Sequence, residues 1–208
     1  MLKVGLTGGI ACGKSTVADM LVQKGALLLD ADVLAREAVA PGQPAWQEIK
    51  AWLGNAYLLE DGTLDRQRIA DLVFNSQAAR EKMNAIVHPR VIALFRRHSS
   101  ELEQKGAGKI QVWDVPLLIE AKMENEVDLI LVVATREDIQ VDRLRQRNGL
   151  TTAEARRRIR SQMPLTQKIR AADYVIYNNG TTDELQSRVD LFWKKIWKEK
   201  LLRSQESG

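Results

Sequence analysis

Residues 8–15 read GGIACGKS, the pattern G-x-x-x-x-G-K-S, and no other stretch of this chain restricts its fold so tightly. The pattern follows an apolar run, Leu2–Thr7. It opens a segment, Lys14–Lys24, in which Val17, Met20 and Leu21 recur at helical spacing. A strand that turns through glycines directly into a helix aims backbone N–H groups and the positive helix end at one point, which is an anion site. Gly8, Gly9, Ala11, Cys12 and Gly13 supply the backbone of that loop. In such a loop Lys14 reaches β- and γ-phosphates, Ser15 ligates Mg²⁺ and Thr16 adds an α-phosphate contact. The loop alone does not choose between ATP and GTP, nor between catalysis and binding.

The rest of the chain supplies the frame. Gly25 closes the first helix, and a second apolar run, Ala26–Leu29, ends at Asp30-Ala31-Asp32. From residue 34 to about 106 the spacing is helical throughout. Trp46, Ile49 and Leu53 share a face, as do Ile69, Leu72 and Val73, then Met83, Ile86 and Val87, then Val91, Leu94 and Phe95. Strand signals return at Lys109–Val115, Asp128–Ala134 and Tyr174–Tyr177, with helical stretches between. This alternation predicts an α/β fold: a phosphate-loop, three-layer α/β/α architecture with a five-stranded parallel sheet, a helical insertion and an arginine-rich lid. The expected division is a nucleotide-binding core (1–33, 107–142 and 166–208), an insertion (34–106) and a lid (143–165). Ligands of open parallel sheets bind at the carboxyl ends of the strands. Residues 8–15, Asp30, Asp32, Asp114 and Asn178 all fall at such ends.

A chain of 208 residues with 45% apolar and 28% charged residues suits one compact domain with an insertion, or two small domains. The longest aliphatic run, Leu129–Ala134, is too short to span a bilayer, and the start of the chain has no signal-peptide pattern. The single cysteine, Cys12, excludes an internal disulfide and fits a reducing compartment, most simply the cytoplasm. Net charge is +4, but nine basic residues and only Glu154 lie between Arg143 and Arg170. That local excess suits a compact polyanion, or a solvated arginine-rich helix, better than the spread basic face of a nucleic-acid binder. After Trp193 lysines alternate with apolar residues, and the last few residues are expected to be disordered.

Several carboxylates and cations stand where chemistry needs them. Alternate residues of an extended segment point the same way, so Asp30 and Asp32 share a side if that segment is extended. A kinase needs a carboxylate beside its acceptor hydroxyl, and Asp32 is the candidate base. Asp32 could equally cap a helix over Val33–Ala38, and Asp30 could be structural or contact a Mg²⁺-bound water. Asp114 ends an apolar run where a metal-holding carboxylate of such folds sits. Arg143 and Arg147 are four apart, hence on one helical face, and guanidiniums of this kind stabilise a transferring phosphoryl group. Cys12 reads as a small loop residue, though its place at a helix start could lower its pKa and sensitise it to oxidation. Pro89 could start the helix running to Phe95, and His88 beside it could be structural. Thr135-Arg136-Glu137-Asp138 only loosely matches a guanine-reading motif, and no D-x-x-G occurs in the chain. A switch or binding protein therefore fits less well than an ATP-dependent kinase of a small hydroxyl substrate.

Taken in order, these motifs resemble the dephospho-CoA kinase family. The resemblance is carried by Thr7-Gly8-Gly9 with Gly13-Lys14-Ser15, by Asp30-Ala31-Asp32 with Leu34-Ala35-Arg36, and by Leu64-Asp65-Arg66. It continues through Ile86-Val87-His88-Pro89, Asp114-Val115-Pro116-Leu117-Leu118, Gln140, Arg143, Arg147-Asn148-Gly149, Gln162-Met163 and Asn178-Asn179-Gly180, and covers about residues 1–195. It implies ATP-dependent phosphorylation of the ribose 3′-hydroxyl of dephospho-CoA, with Mg²⁺, on a nucleotide-kinase-like core whose helical insertion binds CoA. It further implies Asp32, Lys14 and Arg143 as catalytic residues, Ser15 and Asp114 on the Mg²⁺ side, and Arg36, His88 and Leu117 near the acceptor. Arg143 and Arg147 would belong to the lid, and Asn178 would lie near the adenine. The partner expected is dephospho-CoA, with no nucleic acid and no membrane, for a monomer or weak homo-oligomer. The chain departs from the family in having Ala11-Cys12 where Gly-Ser is usual; if residue 11 needs positive φ, Ala11 costs stability. Shikimate kinases share an Asp-x-Asp after the second strand, but an insertion of over 70 residues is better suited to a long acceptor.

Overall fold

The computed structural model describes residues 1–105 and 110–206, with side chains through residue 198. The chain divides into two compact units, Leu29–Lys105 and the remainder.

The larger unit is built on a sheet. Strands β1 (Leu2–Gly8), β2 (Leu27–Asp30), β3 (Ile110–Asp114), β4 (Leu129–Ala134) and β5 (Tyr174–Tyr177) lie in the order β2-β3-β1-β4-β5. The pairs β1–β3, β1–β4 and β4–β5 are parallel, with Leu2 opposite Ile110, Val4 opposite Leu129 and Leu131 opposite Tyr174. β3 and β4 are buried at every position, as strands of a sheet covered on both faces must be, which is why they read as unbroken apolar runs. On one face, Val4, Leu6, Val112 and Leu131 pack with Val17 and Leu21 of α1 (Lys14–Gln23) and with Val189 and Ile196 of α9 (Thr182–Glu206). On the other, a Cβ at Gly5 would meet the side-chain ends of Leu118 and Val127, so glycine lets those side chains lie close on the strand. Helices α6 (Glu137–Asn148), α7 (Thr152–Arg160) and α8 (Leu165–Arg170) complete the unit. A capping box of Thr151 and Glu154 starts α7, and Gly149, at φ 66°, ends α6.

Three expectations need correction here. The second strand is Leu27–Asp30 rather than Ala26–Leu29. The third ends at Asp114 rather than Val115, and its predicted first residue, Lys109, lies outside the described residues. The tail is helical further than expected: α9 continues to Glu206, the last two residues lying outside the described ones, and Trp193 and Trp197, one helical turn apart, meet edge to face at 6.0 Å.

The smaller unit is helical, as its spacing predicts: α2 (Ala31–Ala38), α3 (Pro44–Leu53), α4 (Arg66–Asn75) and α5 (Gln77–Gln104), with one isolated bridge between Leu58 and Leu64. Asp65 and Ser76 cap α4 and α5 by accepting from the N–H groups of Arg68 and Ala79. Ala45, Ile49, Leu64 and Ile86 form the core. Glu37 ties α2 to α5 through Arg97 (2.6 Å) and His98 (3.1 Å), and Glu48 ties α3 to α5 through Arg90. Pro89 does not start a helix; it lies inside the 28-residue α5. Its ring has no N–H to give the turn before it, and the Arg90 guanidinium donates to the neighbouring Ile86 carbonyl at 3.0 Å.

Candidate functional site

The glycine loop is fixed by its carbonyls. Gly9 O accepts the Cys12 N–H at 3.2 Å and Gly13 O accepts the Val17 N–H at 3.2 Å. Between them, Ile10 O accepts Nε2 of Gln140 (2.7 Å), Ala11 O accepts the Arg143 guanidinium (3.1 Å), and Cys12 O accepts Nδ2 of Asn178 (2.9 Å). With these oxygens engaged, the helix that follows keeps its first N–H groups for an anion: no side chain caps α1 and no acidic residue stands in its first turn. Gly13, at φ 86°, could not be replaced, because a Cβ there would run into the Asn178 amide. Ala11 also has positive φ, 59°, so the position where the family usually has glycine does carry left-handed backbone.

Lys14 and Asp114 form an ion pair, Asp114 being nearly buried at the end of β3. Ser15 and Thr16 are exposed at the start of α1. Of the two arginines on the α6 face, Arg143 reaches the loop and also donates to Asn178 O at 3.2 Å, while Arg147 is exposed and contacts Asn148. Asn178 is buried and committed to the loop carbonyl. Lys168, counted in the sequence as part of the basic segment, is wholly buried; it donates to Pro116 O at 2.9 Å and pairs with Glu120 at 2.8 Å. Leu117, just beyond, is exposed. Cys12 is buried, and burial pushes its thiol pKa up, opposite to the lowering expected from a helix start. Thr135 donates to Asn178 O at 2.8 Å and the Arg136–Asp138 pair is exposed on the surface, so this tetrapeptide links the ends of β4 and β5.

In the helical unit the Asp30/Asp32 geometry differs from expectation. The chain turns helical at Ala31, so Asp30 and Asp32 are not alternate residues of one extended segment. Asp30 is the N-cap of α2, accepting from the Asp32 N–H (2.7 Å) and the Val33 N–H (3.3 Å), and Asp32 stands in the first helical turn. Capping is thus done by Asp30, which leaves the Asp32 carboxylate to line a groove of about 490 Å³ with Arg36, Arg66, Ile49, Met83 and Val87. His88 is half-buried in α5, and burial lowers its pKa.

The structure therefore gathers Lys14, Asp114, Arg143 and Asn178 at the loop, and Asp32 with Arg36 in the groove. Arg66, Gln140 and Gln162 stand in the sequence among the residues that carry the family resemblance, but no role follows for them from the sequence. Gln140 lies three residues before Arg143, so the helical face that pointed to Arg143 also carried it. Among the described residues no helix is long and apolar enough to cross a membrane, and no three His, Cys, Asp or Glu residues cluster as a cation site.

The family model for dephospho-CoA kinase matches residues 2–184. A dephospho-CoA kinase of Corynebacterium glutamicum is 46% identical over 187 residues, covering 90% of this chain and 93% of that one. One of Syntrophus aciditrophicus is 42% identical over 208 residues, covering 100% and 88%. Among solved structures, TT1252 from Thermus thermophilus is similar with TM-score 0.79 and 33% identity, over 95% of this chain and 97% of its own.

Proposed function

The chain belongs to the dephospho-CoA kinase family, and from that premise we propose that it transfers the γ-phosphoryl group of ATP to the ribose 3′-hydroxyl of dephospho-CoA, giving CoA and ADP, the final step of coenzyme A synthesis. The observation that carries the reading is the loop, whose carbonyls are turned onto Gln140, Arg143 and Asn178 while the first N–H groups of α1 are left uncapped.

In this reading Lys14 and Arg143 balance charge on the phosphoryl group in flight. Asp32 orients the acceptor hydroxyl and takes its proton as the new P–O bond forms, and the breaking bond leaves its electron pair on ADP. Arg36 and Arg66 hold acceptor phosphates while the apolar lining takes the rest of a long acceptor. His88 and Leu117 lie toward the acceptor, and Arg147 and Asn178 toward ATP. The exposed Ser15 hydroxyl and the Asp114 carboxylate offer two oxygens, which fits a Mg²⁺ that takes its other ligands from phosphates and water. Held by these two residues, such an ion would supply positive charge against the phosphates. The same reading gives a cytoplasmic enzyme, monomeric or weakly homo-oligomeric, with no nucleic-acid partner.

The test is ADP release with Mg²⁺-ATP and dephospho-CoA, adenosine, shikimate or no acceptor. Release that depends on dephospho-CoA, with a product heavier by one phosphoryl group, is expected. Release without acceptor, or with shikimate alone, would refute the reading.

A further inference from the structure

Two glutamines grip the loop at a single residue. Gln140, 3% exposed in α6, donates Nε2 to Ile10 O at 2.7 Å. Gln162, two residues beyond α7, accepts the Ile10 N–H at 2.9 Å. They thus fix the two peptide groups on either side of the Ile10 Cα. In a trans peptide the N–H points opposite to the C=O. Holding Ile10 O on Gln140 therefore turns the Ala11 N–H to the opposite side of the chain. Ala11 sits at φ 59°, a conformation an L-residue does not adopt by preference, so the surrounding contacts must impose it. α7, which precedes Gln162, is seated by Ala155 against Val141 and Leu144 of α6, with Ile10 and Ala11 packed on the same cluster. Neutral amides suit both places, since one must donate and the other accept beside a site for anions.

We infer that Gln140 and Gln162 are positioning residues for ATP: they hold the loop with the Ala11 N–H turned toward the phosphates, and Gln162 links the arginine-rich helix α7 to that geometry. Neither touches the nucleotide in this scheme. The inference rests on the reading of the loop as the ATP site.

Gln140→Met and Gln162→Met keep length and volume but remove the hydrogen bonds. Calorimetric titration with Mg²⁺-ATP should show Kd rising about tenfold in each variant, with KM for dephospho-CoA within twofold of the parent and a smaller ATP-induced rise in Tm. Affinity for ATP within twofold of the parent in both variants would overturn the inference. So would a loss confined to Tm, or one shared equally by the KM for dephospho-CoA. An effect in Gln140→Met alone would overturn the link through α7. Should Gln140→Met fail to fold, the half-buried Gln162 still decides through its own variant. A parent protein that binds ATP but releases no ADP with dephospho-CoA would sink the functional reading, while the affinity titration would still decide the glutamines.

Discussion

At the phosphate loop, five consecutive carbonyls from Gly9 to Gly13 each accept a hydrogen bond. In the helical unit, the groove draws its lining from α2, α3, α4 and α5, and its polar members, Asp32, Arg36 and Arg66, come from two of those helices. In the proposed reading the first region would hold its ligand with backbone, so its sequence is contiguous and constrained by φ. The second would hold its ligand with side chains drawn from a stretch of some fifty residues, Asp32 to Val87, so most positions there are set only by apolar spacing. Damage at the loop should therefore stop chemistry, while damage in the groove should separate acceptor binding from nucleotide binding.

The largest effect should come from Lys14→Ala. It removes the cation paired with Asp114 and should lower kcat by about 10²- to 10³-fold or more; retention of most activity in a coupled ADP assay would take the loop out of the mechanism. Next comes Asp32→Asn, which keeps shape but loses the base. A fall in kcat of about 10²- to 10⁴-fold is expected, with ATP affinity nearly unchanged, and an equal loss of ATP affinity would make Asp32 a metal-side or structural residue. Arg66→Ala should raise KM for dephospho-CoA by roughly tenfold, the worth of one charge-assisted contact, and leave KM for ATP alone. If both rise together, acceptor and nucleotide binding are not separable at Arg66.

Smaller effects test stability. Ala11→Gly relieves left-handed backbone at φ 59° but adds freedom to the unfolded chain, so a net gain of about 0.5–1 kcal/mol is expected. Thermal unfolding should show it as a rise in Tm of roughly 1–3 °C, and a lower Tm would mean the alanine is not strained. His88, with its pKa lowered by burial, binds its proton more readily in the unfolded chain. Its effect is absent above the unfolded value of about 6.5 and destabilises as pH falls through the folded value. Urea unfolding of His88→Gln should accordingly lose less stability between neutral and acid pH than the parent, and identical slopes would contradict the assignment.

How legible each part was follows from the range of the interactions. The loop, the sheet strands and the helical insertion could be read because glycine turns, buried parallel strands and amphipathic faces leave periods of a few residues. The role of Asp30 as a cap could not, because a strand one residue longer at its end and a helix beginning at Ala31 changed which aspartate met the free N–H groups. The burial of Lys168 could not be read either, because a count of basic residues cannot tell a solvated lysine from one whose ammonium is taken by Pro116 O and Glu120. For Cys12 the reading as a small loop residue agrees with its burial, while the possibility of a lowered pKa does not: a helix start favours the thiolate, but burial outweighs it.

By itself, the sequence determined that this chain makes a phosphate-binding turn between a strand and a helix, and that a stretch of seventy-odd residues rich in helical spacing separates the second strand from the third. Those features depend on φ preferences and on periods of apolar residues, which are local. Only the tertiary structure decided what keeps the turn in shape. Gln140, Arg143, Gln162 and Asn178 lie more than a hundred residues from the atoms they hold, and a hydrogen bond of that separation exists only once packing has brought both ends together.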